Sequence, residues 1–533
     1  MSNRVRFAPS PTGEVHIGNI RTAIFNWLYA RHTGGRFLLR IEDTDRERST
    51  PAAIASLLEV MTWLGLNFDE EPLYQSARLA SHTAAADQLL ADGHAYRHAK
   101  GEGGEATLFR IPWDSDAIPE VREAGDVRLE LHAETPVVID FTGVSYALLT
   151  KKGKASPQAG ALGGFHGLQL LDADNTVLYE LDPDIEAVID GGSRQFEGVA
   201  AMTFRRREIV YTDLVKGELH KPLDSLKDQV IVRSDGAPVF HLANVCDDIE
   251  QGITEILRGD DHVENTYRHI LLFRALGAAP PAYGHFPMIV NAQGKPFSKR
   301  DGDAYVGDFR AKGYQPEALL NYLTLLGWSP GDDREQMTSD ELVAAFTLER
   351  VNSAAAQMDI NKLKNLNGLY IAAIALDDFI EVIQPFVAAQ PWAAAADSTA
   401  LRTVTELMQS RCKLFTDVAD WSYFFTDDLE FDEKVVRKAL QKDGVAAALQ
   451  QLSDALAERD PFDEDGIEAT IHATTEALGL GQGKLNAAIR TAVTGTNVGA
   501  GLYETMAILG RERTCRRLQF AIDNLCAGSS AQE

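Results

Sequence analysis

Within the stretch that ends at Asp43 the hydrophobic pattern changes period twice, from that of a strand to that of a helix and back. Arg4-Val5-Arg6-Phe7 alternates as a short strand does. The stiff loop Ala8-Pro9-Ser10-Pro11-Thr12-Gly13 stops it, since proline fixes φ and has no N–H to give a sheet. From Ile17 the apolar residues recur at helical spacing through Ile20, Ala23, Ile24, Trp27 and Leu28, until Gly34-Gly35 ends the helix. Phe37-Leu38-Leu39-Arg40-Ile41 is then a buried-strand run that stops at Glu42-Asp43. Strand, helix and strand in so short a space form a βαβ unit. Such a unit predicts a parallel sheet, whose ligands sit beyond the carboxyl ends of the strands.

Further along, residues 51–98 read as helical, with Trp63, Leu64 and Leu66 ahead of a loop at Asp69-Glu70-Glu71-Pro72. From about Gly101 β-formers and turns take over, as in Val137-Val138-Ile139 and Tyr146-Ala147-Leu148-Leu149, and the stretch to 222 reads as an inserted, mostly β module. Ala106 to Pro112 is expected to supply its first strand. At Gln229-Val230-Ile231-Val232 a second α/β half resumes, and beyond about 310 the pattern is helical almost to the end. A soft linker is expected at 388–396 and a disordered tail at 527–533.

Composition narrows the class. A chain of 533 residues has room for about three to five domains. Hydrophobic residues make up 45%, too many for a disordered chain. Lys and Arg number 51 against 78 Asp and Glu, a formal charge of −27, which argues against an unselective nucleic-acid coat but leaves room for one chosen nucleic acid held on local basic patches. Cys246, Cys412, Cys515 and Cys526 have no C-x-x-C spacing, so neither a cysteine zinc site nor a disulfide framework is expected, and free thiols fit a cytoplasmic setting. No signal-peptide core and no apolar run of roughly 18 residues is seen, so no membrane is expected.

Four polar motifs stand out. His16-Ile17-Gly18-Asn19 opens the first helix, where unpaired N–H groups and the positive end of the dipole suit a phosphate. Gly18 lets a nucleotide approach the backbone, and His16 can donate to a phosphate as its charge develops. Lys295-Pro296-Phe297-Ser298-Lys299-Arg300 offers two cations and a hydroxyl able to close over a triphosphate. Arg40-Ile41-Glu42-Asp43-Thr44-Asp45 puts carboxylates where an ammonium group can bind, and Arg258 in Leu257-Arg258-Gly259-Asp260-Asp261-His262 can clamp a carboxylate with two parallel hydrogen bonds. Taken singly, each is equally well a capped helix, a solvated basic turn, a polar loop or a surface ion-pair cluster.

Together they resemble the class I aminoacyl-tRNA synthetases, whose signatures are a His-x-Gly-x tetrapeptide near the N-terminus and a late Lys-x-Ser-Lys loop. The stretch from Arg6 to Thr50, LRGDDHVENTYRHILLFRALG from Leu257, GYQPEALLNYLTLLGWS from Gly313 and the run from Ala477 to Leu518 are similar to bacterial-type glutamyl-tRNA synthetases; the insert around 113–206 is the exception. The resemblance implies an α/β fold: a Rossmann-type parallel-sheet catalytic domain split by a mostly β insertion and followed by all-α C-terminal domains. It divides the chain into catalytic halves at 1–105 and 226–310, an acceptor-stem-type module with its extra insert at 106–225, a helical stem-contact domain at 311–370 and a helical anticodon-binding domain at 371–533.

The resemblance also implies the reaction: ATP-dependent attachment of L-glutamate to tRNA(Glu) through a glutamyl-adenylate. His16 and Lys299 are the expected catalytic residues. His16, Gly18, Asn19, Ser298, Lys299 and Arg300 would hold ATP, with Mg2+ on its phosphates. Arg6, Ala8, Ser10, Glu42, Phe240, Asn244 and Arg258 would surround the amino acid. The family expectation is a monomer.

Some features depart from the family pattern. Pro296 stands where the second signature has Lys, with Lys295 one place earlier, and Phe240 stands where the family has Tyr, one hydrogen bond fewer at about 1 kcal/mol. His98-Ala99-Lys100 follows Tyr96-Arg97 with no cysteine close, so no zinc is expected. The candidates for tRNA contact are Arg205, Arg206 and Arg207, then Arg411, then Arg511, Arg513, Arg516 and Arg517. Rival readings are a glutaminyl-type or non-discriminating synthetase and a catalytically silent tRNA-binding paralogue. The helical pattern of 311–526 favours the glutamyl type, and the intact His16, Arg258 and Lys299 argue against silence.

Overall fold

β1 (Arg4–Phe7) and β2 (Arg36–Ile41) pair in parallel, Val5 opposite Phe37 and Phe7 opposite Leu39, and α1 (Ile17–Thr33) joins them. These are the elements the changing period predicts. Gly34, at φ 65°, ends α1 by turning its N–H back onto the carbonyls of Ala30 and Arg31, a left-handed conformation that a glycine adopts without strain. This computed structural model describes residues 2–526 apart from Arg46, 100–103, Ala133, Lys151 and Leu480. The tail expected to be disordered, 527–533, lies outside the described residues.

β3 (Leu73–Tyr74) adds to the far edge of β2, in parallel with Arg40 and Ile41. The stretch expected to be helical at 51–98 therefore holds two helices, Pro51–Trp63 and Leu79–Ala91, with this strand between them and the strand Ala95–Ala99 at its end. A two-residue strand is too short to show a period of its own. On the other edge, the Thr254 N–H donates to the Arg4 carbonyl at 2.9 Å, which sets the strand Glu255–Gly259 beside β1. Ala282–Phe286 pairs in parallel with Glu255–Gly259. By position the strands run β3, β2, β1, Glu255–Gly259, Ala282–Phe286, the first three one ladder and the last two laddered with Ala201–Asp213, and the winding reverses between β1 and Glu255–Gly259. Ligands bind at that reversal in open α/β sheets.

The predicted β module is present. The long strand Ala201–Asp213 pairs antiparallel with Val121–Glu130, His166–Leu171 and Gly217–Pro222. Four more strands, Ser193–Phe196, Val137–Asp140, Gly143–Leu149 and Ala155–Gly160, form a second antiparallel sheet. Val137, Ile139 and Val144 of the second sheet share one core with Leu168, Leu170, Met202 and Phe204 of the first. The strand expected to open the module, Glu105–Phe109, instead pairs with Ala95–Ala99 and Gln229–Val232, so it belongs with the flanking α/β segments.

Residues 1–307 with 320–358 form one compact unit, and 308–319 with 359–533 form another. The second unit is helical around a core that includes Phe379, Ile383, Trp421, Leu452 and Ile489. It shows no soft linker at 388–396: Trp392 is 5% exposed and stacks on Phe425 with ring centres 4.6 Å apart. The alanines around it give the segment a loose composition, and one indole anchors it. Among the described residues no helix is long and apolar enough to cross a membrane.

Candidate active site

The strand ends and the start of α1 enclose a cleft of about 710 Å³, walled by Arg6, Ala8, Ser10, His16, Gly18 and Asn19 on one side and by Glu42, Phe240, Asn244 and Arg258 on others. All of the expected amino-acid-binding residues thus meet in one cavity. His16 is the N-cap of α1 and its Nδ1 accepts the Gly18 N–H at 3.1 Å. Nε2 is then its donor. Burial pushes the His16 imidazole below its usual range, while a hydrogen bond to the Phe297 backbone acts the other way. A Cβ added to Gly18 would lie 3.3 Å from His16 Nδ1, so this position has little room for any other residue.

Behind the cleft lies a buried charge network. Asp248, on the helix Phe240–Glu250, accepts Arg6 Nε at 2.9 Å and Arg40 Nη1 at 2.6 Å. Arg40 Nη2 also reaches Glu42 Oε1 at 3.4 Å, and Asn244 Nδ2 donates to the same oxygen at 2.9 Å. Asn244 Oδ1 is buried and has no hydrogen-bond partner. Burial pushes the Glu42 carboxyl above its usual range against the pull of Arg40 and Arg6. Burial acts in the same sense on Asp248, but there Arg40 and Arg6 prevail and hold the carboxyl below its usual range.

Arg258 differs from those two arginines. Its partners are His285 Nε2 at 3.2 Å, Thr266 Oγ1 at 2.7 Å and the His262 carbonyl at 3.3 Å, all uncharged groups. Burial pulls its pKa down to about 10, which leaves it charged at neutral pH. Three guanidiniums, Arg6, Arg40 and Arg258, face two carboxylates, Glu42 and Asp248. Arg258 is thus the one of the three with no carboxylate in direct contact, which suits it to a carboxylate on a ligand. Phe240 lies nearly parallel to the His262 ring, with centres 5.8 Å apart, and presents an apolar face.

The cationic loop meets this cleft at the mouth of α1. The Ile17 N–H donates to Ala304 and the Val306 N–H donates to Val15, each at 3.0 Å. Tyr305 meets His16 edge-on at 5.8 Å between ring centres. Lys299 Nζ sits 4.1 Å from the Tyr305 ring centre and 3.3 Å from Glu14, 285 positions away in sequence. Ser298 gives its N–H and its hydroxyl to Asp301 at 3.0 and 2.8 Å, and Arg300 is exposed. Pro296 and Phe297 line the cleft, while Ser298, Lys299 and Arg300 lie beyond the lining. Lys295 is exposed on the turn before the loop and is not part of the lining either, so it does not occupy the wall position held by Pro296.

The basic candidates are mostly engaged. Arg205 is exposed, whereas Arg206 forks onto Asp224 at 3.0 and 2.9 Å and Arg207 pairs with Asp116 at 2.8 Å. In the second unit Arg511 bonds the Arg459 carbonyl, and Arg513, Arg516 and Arg517 converge on Asp427 at 3.2, 2.6 and 3.1 Å. Arg411 lines a separate cavity of about 990 Å³ together with Trp392, Trp421 and Tyr423. Sequence reasoning missed Asp248, Tyr305, Asp213 and His285. Spacing gives no sign of any of the four.

Comparison with known proteins identifies the family. The catalytic-domain model of the class I tRNA synthetases (E and Q) matches residues 2–103 and 198–365, and an anticodon binding domain model matches 378–522. The chain belongs to the class I tRNA synthetases of that E and Q group. It is 38% identical over 530 residues to the glutamate–tRNA ligase of Xanthomonas euvesicatoria pv. vesicatoria, covering 98% of this chain and 99% of the relative. It is 35% identical over 522 residues to glutamate–tRNA ligase 2 of Thermoanaerobacter pseudethanolicus, covering 98% of each. The crystal structure of a glutamate tRNA ligase from Elizabethkingia meningosepticum in complex with its amino acid matches with a TM-score of 0.70 at 27% identity, covering 98% of this chain and 100% of the other. The catalytic model skips 104–197, yet the alignments to the relatives run nearly end to end. The insert expected at 113–206 is therefore of similar length in those relatives.

Proposed function

We propose that this chain attaches L-glutamate to tRNA(Glu) at the expense of ATP. An α-carboxylate oxygen of glutamate bonds to the α-phosphorus of ATP and pyrophosphate leaves. The terminal adenosine 2′-hydroxyl of tRNA then attacks the acyl carbon of the glutamyl-adenylate, losing its proton as AMP departs. The observation that carries the reading is the meeting of Arg6, Glu42, Asn244 and Arg258 in one cleft, with Arg258 touching no carboxylate. Glutamate brings two carboxylates and one ammonium, a net charge of −1. Arg6 and Arg258 are suited to the carboxylates, and Glu42 with the spare Asn244 Oδ1 is suited to the ammonium.

His16, Gly18 and Asn19 offer ATP a helix N-terminus and a donor, and Lys299 with Arg300 and Ser298 stands ready to meet its phosphates. The protein mainly aligns reactants and stabilises charge. Among the described residues no group of three His, Cys, Asp or Glu could hold a metal ion. A magnesium ion arriving with ATP would be held by its phosphate oxygens and would supply charge neutralisation there. A monomer is the family expectation, and the free thiols suit the cytoplasm.

The test is aminoacylation of purified glutamate and glutamine tRNAs side by side. Charging of the glutamate tRNA alone is expected. Charging of both would make the enzyme non-discriminating, and charging of neither would leave the silent tRNA-binding reading. Affinity for tRNA is expected to fall steeply between low and moderate salt, because phosphate contacts release counterions; a flat response in a salt titration would remove Arg205, Arg411, Arg511 and Arg516 from that role.

Glu42 gives a pH signature. It holds an ammonium only as a carboxylate, and its pKa lies above the usual value. As pH falls, the charged form is therefore lost earlier than for an ordinary glutamate. The KM for glutamate should rise on the acid side of neutrality with the KM for ATP flat. Glu42→Gln should raise the glutamate KM at every pH and erase that acid limb; a limb that persists in the variant belongs to another group.

A further inference from the structure

Arg258 is held by a chain of hydrogen bonds that runs away from the cleft. Its Nε donates to His285 Nε2 at 3.2 Å, and the Thr266 hydroxyl lies 3.1 Å from the same nitrogen. On the other side of the ring, His285 Nδ1 is 2.6 Å from Asp213 Oδ2. The other carboxylate oxygen, Oδ1, accepts the backbone N–H groups of Val215 and Lys216 at 2.9 Å and of His285 at 3.2 Å. Asp213 and His285 are both buried. One tautomer satisfies every partner: Nδ1 carries the proton and gives it to Asp213, and the bare Nε2 accepts from Arg258. Burial keeps the imidazole below its usual range against the pull of Asp213, so the ring stays neutral at assay pH.

We infer that Asp213 and His285 are positioning residues for amino-acid activation: they orient Arg258 through a neutral acceptor and so leave its guanidinium without a directly paired carboxylate until the substrate carboxylate arrives. A carboxylate in the place of His285 would orient the guanidinium equally well but would pair with it directly, as Asp248, shared between them, pairs with Arg6 and Arg40. A neutral lone pair fixes direction without spending charge. The anchored Oδ1 fixes the carboxylate, the carboxylate fixes the tautomer, and the tautomer fixes the arginine. The inference deepens the activity proposed above and rests on it.

Three variants separate this role from a purely architectural one. His285→Gln can place an oxygen near the lost Nε2 and so keeps an acceptor for Arg258. His285→Asn can place an amide near the lost Nδ1; it keeps the tie to Asp213 and loses the acceptor. Asp213→Asn keeps an oxygen for the three backbone donors, but its amide would donate to Nδ1 and force the proton onto Nε2, opposite the Arg258 N–H. The assay is ATP–pyrophosphate exchange with glutamate and tRNA(Glu) present, alongside a thermal melt. Expected for His285→Asn and Asp213→Asn is a rise of about tenfold or more in the glutamate KM with the ATP KM unchanged, and for His285→Gln a smaller rise. A wild-type glutamate KM in His285→Asn would overturn the inference while the activity stands. Equal impairment of the Asn and Gln variants, or parallel loss of ATP binding and melting temperature, would overturn it as well. A wild-type protein with no glutamate-dependent exchange would overturn the activity, and this inference with it.

Discussion

Lys299→Ala lowers the rate of glutamate-dependent adenylate formation by roughly 10²–10³-fold and leaves tRNA affinity within about twofold. The reason lies in where the ammonium rests and where it is needed. At rest it is paired with Glu14 and packed over Tyr305, and the ion pair is exposed, 63% on the lysine side and 60% on the glutamate side. Exposed pairs of this kind contribute little, so transferring Lys299 to a triphosphate costs little. The charge it meets grows as the bond to pyrophosphate breaks, so the lost stabilisation shows in the rate of the chemical step rather than in ground-state binding. Pro296 sharpens the expectation: with proline there and Lys295 off the lining, Lys299 and Arg300 supply the loop's ammonium and guanidinium at the rim. Single-turnover adenylate formation and filter-binding of tRNA make the comparison. Equal losses in both would mean that the loop only holds the fold together at the mouth of α1.

The first βαβ unit was legible because a switch between periods two and 3.6 leaves a mark on every residue, and its loop is punctuated by Pro9, Pro11 and Gly13. The expected amino-acid pocket came from the family resemblance, which names Arg6, Glu42 and Arg258 together, and the fold brings all three to strand ends around one cleft. Asp248 was not legible. It is 242 positions from Arg6 and 208 from Arg40, on a helix whose pattern shows only that one face is buried. Which acid neutralises which base is a property of the folded packing. The run Arg205-Arg206-Arg207 shows the converse. As letters it is a basic patch, but inside a strand successive side chains point to opposite faces, and Asp224 and Asp116 take up two of the three. Trp392 misled through its neighbours: a run of alanines looks like a linker until the one large side chain finds Phe425.

Asp248→Asn should cost the first compact unit about 3–5 kcal/mol of stability, the range for removing one partner from a buried ion pair. Asp248 and Arg40 are wholly buried and Arg6 is 3% exposed, so water cannot replace the lost charge. The amide can keep a hydrogen bond to one arginine, but both guanidiniums would stand in a low-dielectric interior with Glu42 as the nearest remaining carboxylate. The neighbouring Asp247 is the control. It accepts from Gln75 at 2.8 Å and contacts His82 at 2.7 Å, so Asp247→Asn removes a carboxylate that bonds no arginine and acts on Arg40 only from a distance, and about 1 kcal/mol is expected. The pH dependence has a definite sign. The folded-state pKa of Asp248 lies below its ordinary value, so the pair's contribution is fully present above the unfolded pKa, near 4, and is lost as pH falls through the folded value. Wild type and Asp248→Asn should therefore differ most at neutral pH and converge in acid. Thermal melts of wild type, Asp248→Asn and Asp247→Asn at neutral pH and near pH 3 measure this. Equal melting of the two variants at neutral pH would show that Arg6 and Arg40 do not depend on Asp248, and Glu42 and Asp247 would then be the carboxylates that hold Arg40.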